Sequence, residues 1–265
     1  DVMGANIDLI YRVGKLQFTN KFTAQQTKYT NPIVPFSDYA RASPYYKKYN
    51  EEGEVERWLA NTELEPKVSN PLYNASLNSR DDNTQMQFSN YFIAEYNPTN
   101  ELKLRARFGL TSLTAERELF YSPDDTRFED TDILRKGSYD YTNSKTTKYE
   151  GELTAIYATV LNDKHRINVA VGGNMSEQKT TLQGYSAEGF PSGDFTYPSF
   201  SNGYPEGESP NYTESLSRAV SAYLTGGYAF ADKYLMDAKN VPEPFLIKNR
   251  VRVRTVWWTV QDSNL

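Results

Sequence analysis

Residues 85–96 read QMQFSNYFIAEY and residues 102–110 read LKLRARFGL. In the first stretch Met86, Phe88, Phe92, Ala94 and Tyr96 share one parity, with Gln85, Gln87, Ser89 and Glu95 opposite and Asn90 as the single break. In the second, Leu102, Leu104, Ala106, Phe108 and Leu110 alternate with Lys103, Arg105 and Arg107. A period of two sustained over this length describes half-buried strands, because successive side chains on a pleated strand point to opposite faces. Asn97, Pro98, Thr99 and Asn100 lie between the two and are turn formers, so the pair is a hairpin.

Working outward, the arrangement recurs. Ile7, Leu9 and Tyr11 lead to a turn near Val13 to Lys15, and Leu16, Phe18 and Phe22 return. Tyr149, Leu153, Ala155 and Tyr157 run to Asn162, Asp163 and Lys164, after which Ile167, Val169 and Val171 come back. Val220, Ala222, Leu224, Tyr228 and Phe230 reach Ala231, Asp232 and Lys233, followed by Tyr234 and Met236. No helical period competes, so the chain is expected to be all-β and antiparallel, with about eight strands.

Short connections lie within the pairs, and the long segments Thr27 to Asn83, Glu116 to Ser144 and Lys179 to Ser215 lie between them. Long structureless loops are uncommon in compact soluble domains, whereas short turns at one end and long loops at the other are the pattern of a membrane barrel. Tyr11, Tyr96, Tyr157, Tyr228, Phe230 and Tyr234 all fall near the short turns, where an aromatic girdle would lie. The expectation is a transmembrane β-barrel segment with long extracellular loops; a β-sandwich is the alternative, since its strands alternate too.

Composition narrows the chemistry. The 265 residues carry 29 basic and 34 acidic side chains, a net charge of -5, and no basic stripe that would suit nucleic acid. Mean hydropathy is -0.71, and no run approaches the roughly 18 to 20 apolar residues of a membrane helix, a test that barrel strands do not need to pass. Cysteine is absent, which removes disulfide frameworks and thiolate chemistry, and the single histidine, His165, reads as an exposed turn residue rather than a catalyst. Asp1 to Asn6 carry no signal peptide, so the chain reads as an interior piece. Tyrosine (21) and phenylalanine (13) far exceed tryptophan (3), which makes aromatic surfaces the main candidate for recognition.

Asp124, Asp125, Glu129, Asp130 and Asp132 cluster in one long segment and could offer oxygens to calcium, but the EF-hand glycine and terminal glutamate are missing and a solvated acidic loop is the plainer reading. No metal site or cofactor is expected. No carboxylate pair has the spacing that glycoside hydrolysis requires, so no enzyme is expected. Tyr185, Phe190, Phe195, Tyr197, Phe200, Tyr204 and Tyr212 stand among Gly, Pro, Ser and Asn in the segment 184–212. Such rings suit stacking on sugars or packing on peptides, and would equally suit packing of the loop on itself; Tyr39, Tyr45, Tyr46 and Trp58 carry the same two readings.

Phe36-Ser37-Asp38-Tyr39, Ser43-Pro44-Tyr45-Tyr46, Glu51-Glu52-Gly53, Asn70-Pro71-Leu72-Tyr73-Asn74-Ala75, Gly189-Phe190-Pro191 and Ser221-Ala222-Tyr223 to Asp232-Lys233-Tyr234-Leu235-Met236-Asp237-Ala238 follow one another in an order that resembles the SusC/RagA-type TonB-linked outer-membrane proteins. The resemblance runs from about Asp8 to Ala238 and covers part of that family's barrel. It implies a plugged barrel of roughly 22 strands in a Gram-negative outer membrane, powered through TonB, lidded by a SusD-like surface lipoprotein and importing glycans or peptides. The plug and TonB box would precede this stretch in the parent. Lys103, Arg105 and Arg107 would then face the lumen, holding acidic plug residues or simply a hydrated wall. The alternatives from other classes are a glycan-binding or adhesive β-sandwich and a passive porin. Residues 1–238 read as barrel; 239–265 do not match, because Pro242 and Pro244 stand where a strand should continue, and a shifted reading frame or a disordered tail is expected there.

Overall fold

The computed structural model describes residues 1–60, 67–231, 234–240, 245–246 and 258–262. Strands β1 (Val2–Val13), β2 (Leu16–Asn31), β5 (Arg80–Tyr96), β6 (Leu102–Tyr121), β7 (Ser138–Leu161), β8 (His165–Glu188), β9 (Asn211–Phe230) and β10 (Tyr234–Asn240) lie side by side in that order, each antiparallel to the next. The first long connection holds helix α1 (Phe36–Arg41), the small hairpin β3 (Trp58–Ala60) and β4 (Val68–Ser69), and helix α2 (Pro71–Ser76). Beyond β10, β11 (Phe245–Leu246) pairs with β9, and β12 (Trp258–Asp262) pairs with β10. The chain is therefore all-β and antiparallel, a single open sheet. Apart from the β3–β4 hairpin, no second sheet is present among the described residues, so the sandwich alternative lacks its other half.

The four hairpins read from the alternation all form. Three of their turns pass through the left-handed region, at Gly14, at Asn162 and Asp163, and at Ala231, with φ near +50 to +57°; Gly, Asn and Asp tolerate it, whereas alanine adopts it at a cost. In the turn after β5, Thr99 Oγ1 accepts from Glu101 N at 3.3 Å and Leu102 N at 3.1 Å, which starts β6.

The strands overrun the expected boundaries. The long connections are residues 32–79, 122–137 and 189–210, so β5, β6, β7 and β8 extend well into segments read as loop. Over much of the added length, such as residues 142–148 and 177–181, both faces carry Thr, Asn, Lys, Gln and Glu. Alternation of polarity, the signal that reveals a half-buried strand, is absent where water wets both sides. Paired backbone continues regardless, with β7 and β8 in unbroken register from Leu161 opposite His165 to Ser138 opposite Glu188.

Register sorts side chains into two faces. Leu104 lies opposite Ala155, Ala155 opposite Val171, and Val171 opposite Leu224, so these share one face. That face carries an apolar band at the short-turn half of the sheet: Phe18, Phe22, Phe88, Phe92, Leu104, Phe108, Leu153, Val171, Met175 and Leu224, most of them exposed. Phe18 stacks on Phe92 at 5.9 Å and Phe22 meets Phe88 edge-on at 5.0 Å. Tyr11, Tyr96, Tyr157, Tyr228, Phe230 and Tyr234 occupy the same face at its turn end. The buried cluster lies elsewhere, at the long-loop end, where Phe120, Tyr139, Ala187 and Phe190 are almost inaccessible.

Candidate functional site

The three long connections meet over one end of the sheet and are tied to each other. Asn74 of α2 donates through Nδ2 to Thr126 Oγ1 at 2.7 Å and accepts from Thr126 N at 3.2 Å. Ser79 Oγ accepts from Ser122 N at 2.9 Å, and Asn78 donates to the carbonyl of Gly193 at 3.0 Å. Arg135 Nε meets Glu188 at 2.7 Å. Within the first connection Asn70, only 1% exposed, caps α2 by accepting from Leu72 N and donates to the carbonyls of Lys48 and Glu56.

The segment 189–210 forms a strap across the sheet face that bears the apolar band further down. Phe190 is 3% exposed and packs edge-on against Phe120 at 5.1 Å, and Phe120 belongs to the same alternate series as Leu104 and Phe108. Gly189 makes the crossing possible: its φ is +79°, and a side chain there would collide with the Leu134 carbonyl. Tyr185 stacks on Tyr139 at 6.2 Å, tilts against Tyr141 at 5.4 Å and meets Tyr204 of the strap edge-on at 6.2 Å. Phe195 and Phe200 pair edge-on at 5.0 Å, and Arg80 lies 5.8 Å from the Tyr197 ring. The seven rings thus divide. Phe190 and Tyr185 hold the strap down, whereas Phe195, Tyr197, Phe200, Tyr204 and Tyr212 remain 41 to 63% exposed.

Lys103, Arg105 and Arg107 lie together on the opposite face, and their partners are in the sheet itself. Lys103 reaches Glu95 at 3.0 Å, Arg105 the same carboxylate at 3.8 Å, and Arg107 reaches Glu152 at 3.8 Å. Arg107 also lies 4.5 Å from the Tyr91 ring, which lies flat against Gly109 where any side chain would collide with it. Tyr223 lies over Gly172 in the same way, and its hydroxyl meets Thr154 Oγ1 at 2.8 Å.

The acidic loop is parcelled out. Asp125 and Asp132 cap short 3-10 turns by accepting from Arg127 N and Leu134 N, and Glu129 is held by Arg57 and Lys67. Among the described residues no three acids converge on a point that would suit a metal ion. His165 departs from the exposed turn residue expected: it is half-buried, its Nδ1 lies 2.7 Å from the Tyr228 hydroxyl, and its ring packs on Tyr228 and Phe230. Packing of the imidazole on these two rings explains the difference.

Two clusters went unread in the sequence. Asp81, on the same face as Arg117, takes a two-pronged bond from its guanidinium at 2.8 and 2.7 Å and accepts from Asn31 and Asn83. The Arg117 bond holds the Asp81 carboxyl below the usual carboxylate range. The other joins Arg57 and Lys67 to Trp58, Tyr73 and Glu129, three residues that the sequence places in separate features. Their joining depends on contacts across 62 residues, such as Lys67 to Glu129, that no local pattern signals.

No family model matches the chain, and no curated protein does. Solved structures do. The RagAB peptide importer in its 'open-open' state matches with a TM-score of 0.71 and 14% identity, over 90% of this chain and 27% of that one. The 'closed-closed' state gives 0.69 at 14%, and a further RagAB peptide transporter structure 0.69 at 15%, with the same coverage. The chain spans little more than a quarter of those proteins. Its long antiparallel strands, short turns at one end and looped cap at the other have the fold of a segment of the RagAB peptide importer.

Proposed function

We propose that this chain is part of the barrel wall of a SusC/RagA-type importer in a Gram-negative outer membrane, without enzymatic activity. The observation that carries the reading is the apolar band. On β6 it runs from Leu102 to Leu110, and on β8 from Ile167 to Met175, the roughly 9 to 11 residues that a tilted strand needs to cross hydrocarbon. A girdle of rings bounds it at the short turns, and on the same face Glu177 pairs with Arg218 at 2.6 Å and Lys179 with Glu214 at 2.9 Å beyond its other edge. A strand in lipid must pair every backbone group, which only a closed barrel provides, so further strands complete the wall.

Peptides are the cargo we favour, since the similar solved structures are of peptide importers; glycans are the alternative that the exposed rings also suit. TonB would supply the energy through a plug. A SusD-like lipoprotein would close the mouth, and Phe195, Tyr197, Phe200 and Tyr204, standing on the outer side of the rim, suit contact with that lid better than with cargo inside the barrel. The cations Lys103, Arg105 and Arg107 would line the hydrated lumen.

Single cysteines in the full-length parent test the reading. Cysteines at Leu153 and Val171 should be quenched by a lipid-phase probe, and cysteines at Thr154 and Ala170 by an aqueous one. Uptake of labelled peptide by cells should stop when TonB is removed. Aqueous access to all four positions would overturn the membrane assignment, and TonB-independent uptake would make the barrel a passive porin.

A further inference from the structure

The chain is acidic overall, yet its loop cap gathers cations and rings around one carboxylate. Glu129 Oε2 lies 3.0 Å from Arg57 Nη2 and its Oε1 2.9 Å from Lys67 Nζ. Both cations also lie on rings: Lys67 is 5.5 Å from the centroid of Trp58, and Arg57 is 5.8 Å from both Trp58 and Tyr73. Arg57 Nε is shielded from solvent and has no hydrogen-bond partner among the described residues. The bond from Lys67, with Arg57 and Lys136 adding their fields, lowers the Glu129 carboxyl below its ordinary range, so it is ionised at neutral pH. Two cations thus hold one carboxylate among the described residues.

These groups come from separate places: Arg57 and Trp58 from the start of β3, Lys67 from just before β4, Tyr73 from α2 and Glu129 from the second connection. Side chains of Arg57, Lys67 and Glu129 stay 27 to 44% exposed, so an incoming group can reach them. A guanidinium and an ammonium set to receive the two oxygens of a carboxylate, beside two flat apolar faces, recognise a carboxylate on a chain or ring that can lie on an aromatic surface.

We propose that Arg57, Lys67, Trp58 and Tyr73 form a carboxylate-recognising site for cargo, occupied in the empty protein by Glu129, which an incoming carboxylate displaces. This rests on the importer reading and narrows it to acidic cargo. The carboxylate can belong to an acidic peptide or to a uronate-bearing glycan, and the chemistry of recognition is shared.

The test uses the full-length parent purified in detergent, with folding of every variant checked by heat-modifiable migration on gels. Probes are a dye-labelled peptide rich in Asp and Glu, the same peptide with Asn and Gln in their place, and an oligogalacturonate. Lys67→Gln or Arg57→Gln should weaken binding of the acidic probe about three- to fivefold, the scale of one exposed ion pair, and salt should weaken it too. Glu129→Gln should tighten it by a similar factor, because it removes the internal competitor; a merely structural ion pair would give loss or no change. Tightening seen with the acidic peptide assigns the carboxylate to peptide cargo, and tightening seen with oligogalacturonate assigns it to glycan. Equal binding of acidic and neutral peptides, with no gain in Glu129→Gln, overturns the site. In that case cells that still import the neutral peptide leave the importer reading standing, whereas loss of all uptake in the unaltered parent would count against that reading itself.

Discussion

At the scale of the residue, position on the strand decides whether a charge is tolerated. Leu153 is 67% exposed in the middle of the apolar band, and its neighbour Thr154 faces the other way. Leu153→Arg in the full-length parent is expected to cost about 2 to 4 kcal/mol, the cost of a cation at mid-bilayer on the lipid face. Arg105→Gln, which removes only a 3.8 Å pairing to Glu95, should cost at most about 1 kcal/mol. Urea midpoints of refolding into lipid vesicles measure both, and equal tolerance would refute the assignment of faces. Asp81 gives a pH-dependent expectation. The Arg117 bond depresses its folded pKa, so its contribution is fully present above the unfolded value of about 4 and is lost as pH falls through the folded one. Asp81→Asn should therefore lower the unfolding midpoint at pH 7 and change it much less at the acid end, where wild type has lost the same interaction. A deficit that persists undiminished in acid would show that charge is not the cause.

At the scale of the element, the strap and the strand ends carry the questions. Phe190 fills the buried cluster at the rim, and truncating it to Ala should cost about 3 to 5 kcal/mol of local stability, the usual scale for a buried phenylalanine. Limited proteolysis should then cut within 189–210 while the strands stay intact. Replacing the exposed Phe195 and Tyr197 together with Ala should leave assembly unchanged and weaken both lid capture and uptake; undiminished uptake and capture would reduce these rings to packing of the strap. Further along, β10 pairs with β9 as far as Asn240 opposite Leu224, and Phe245 lies opposite Val220. Pro242 and Pro244, the reason for reading 239–265 as foreign to the barrel, lie outside the described residues. Sequencing the locus across Ala238 checks that reading: we expect a shift of frame or a junction, and a continuous frame leading into further alternating strands would refute it.

At the scale of the whole molecule, the sheet is open. β1 is exposed along its length and its outer edge has no neighbour among the described residues, while the apolar band presents rings and aliphatic chains to the surroundings. Unpaired edges and large apolar faces drive association in water. The 265-residue chain expressed without detergent is expected to aggregate, and detergent or vesicles should be needed to keep it dispersed. Size-exclusion chromatography decides it: a monodisperse monomer with cooperative unfolding in plain buffer would contradict the barrel reading.

Alternation of residue type determined the strands wherever lipid-like and water-like surroundings differ across the sheet. Leu102 to Leu110 against Lys103 to Arg107 is enough to place a strand, orient its faces and, with the turn residues around it, pair it with its neighbour. The same logic failed in two places. Where β7 and β8 rise past the apolar band and before they reach the strap, both faces are polar, and nothing in composition separates strand from loop. At the looped end, the strap of Phe190 on Phe120, the grip of Arg117 on Asp81 across β5 and β6, and the two cations on Glu129 join residues 36 to 72 positions apart. A strand's periodicity is local and is written in consecutive residues; a site held by long-range contacts exists only once the chain has closed on itself, because loop geometry, not residue type, decides which cation meets which carboxylate.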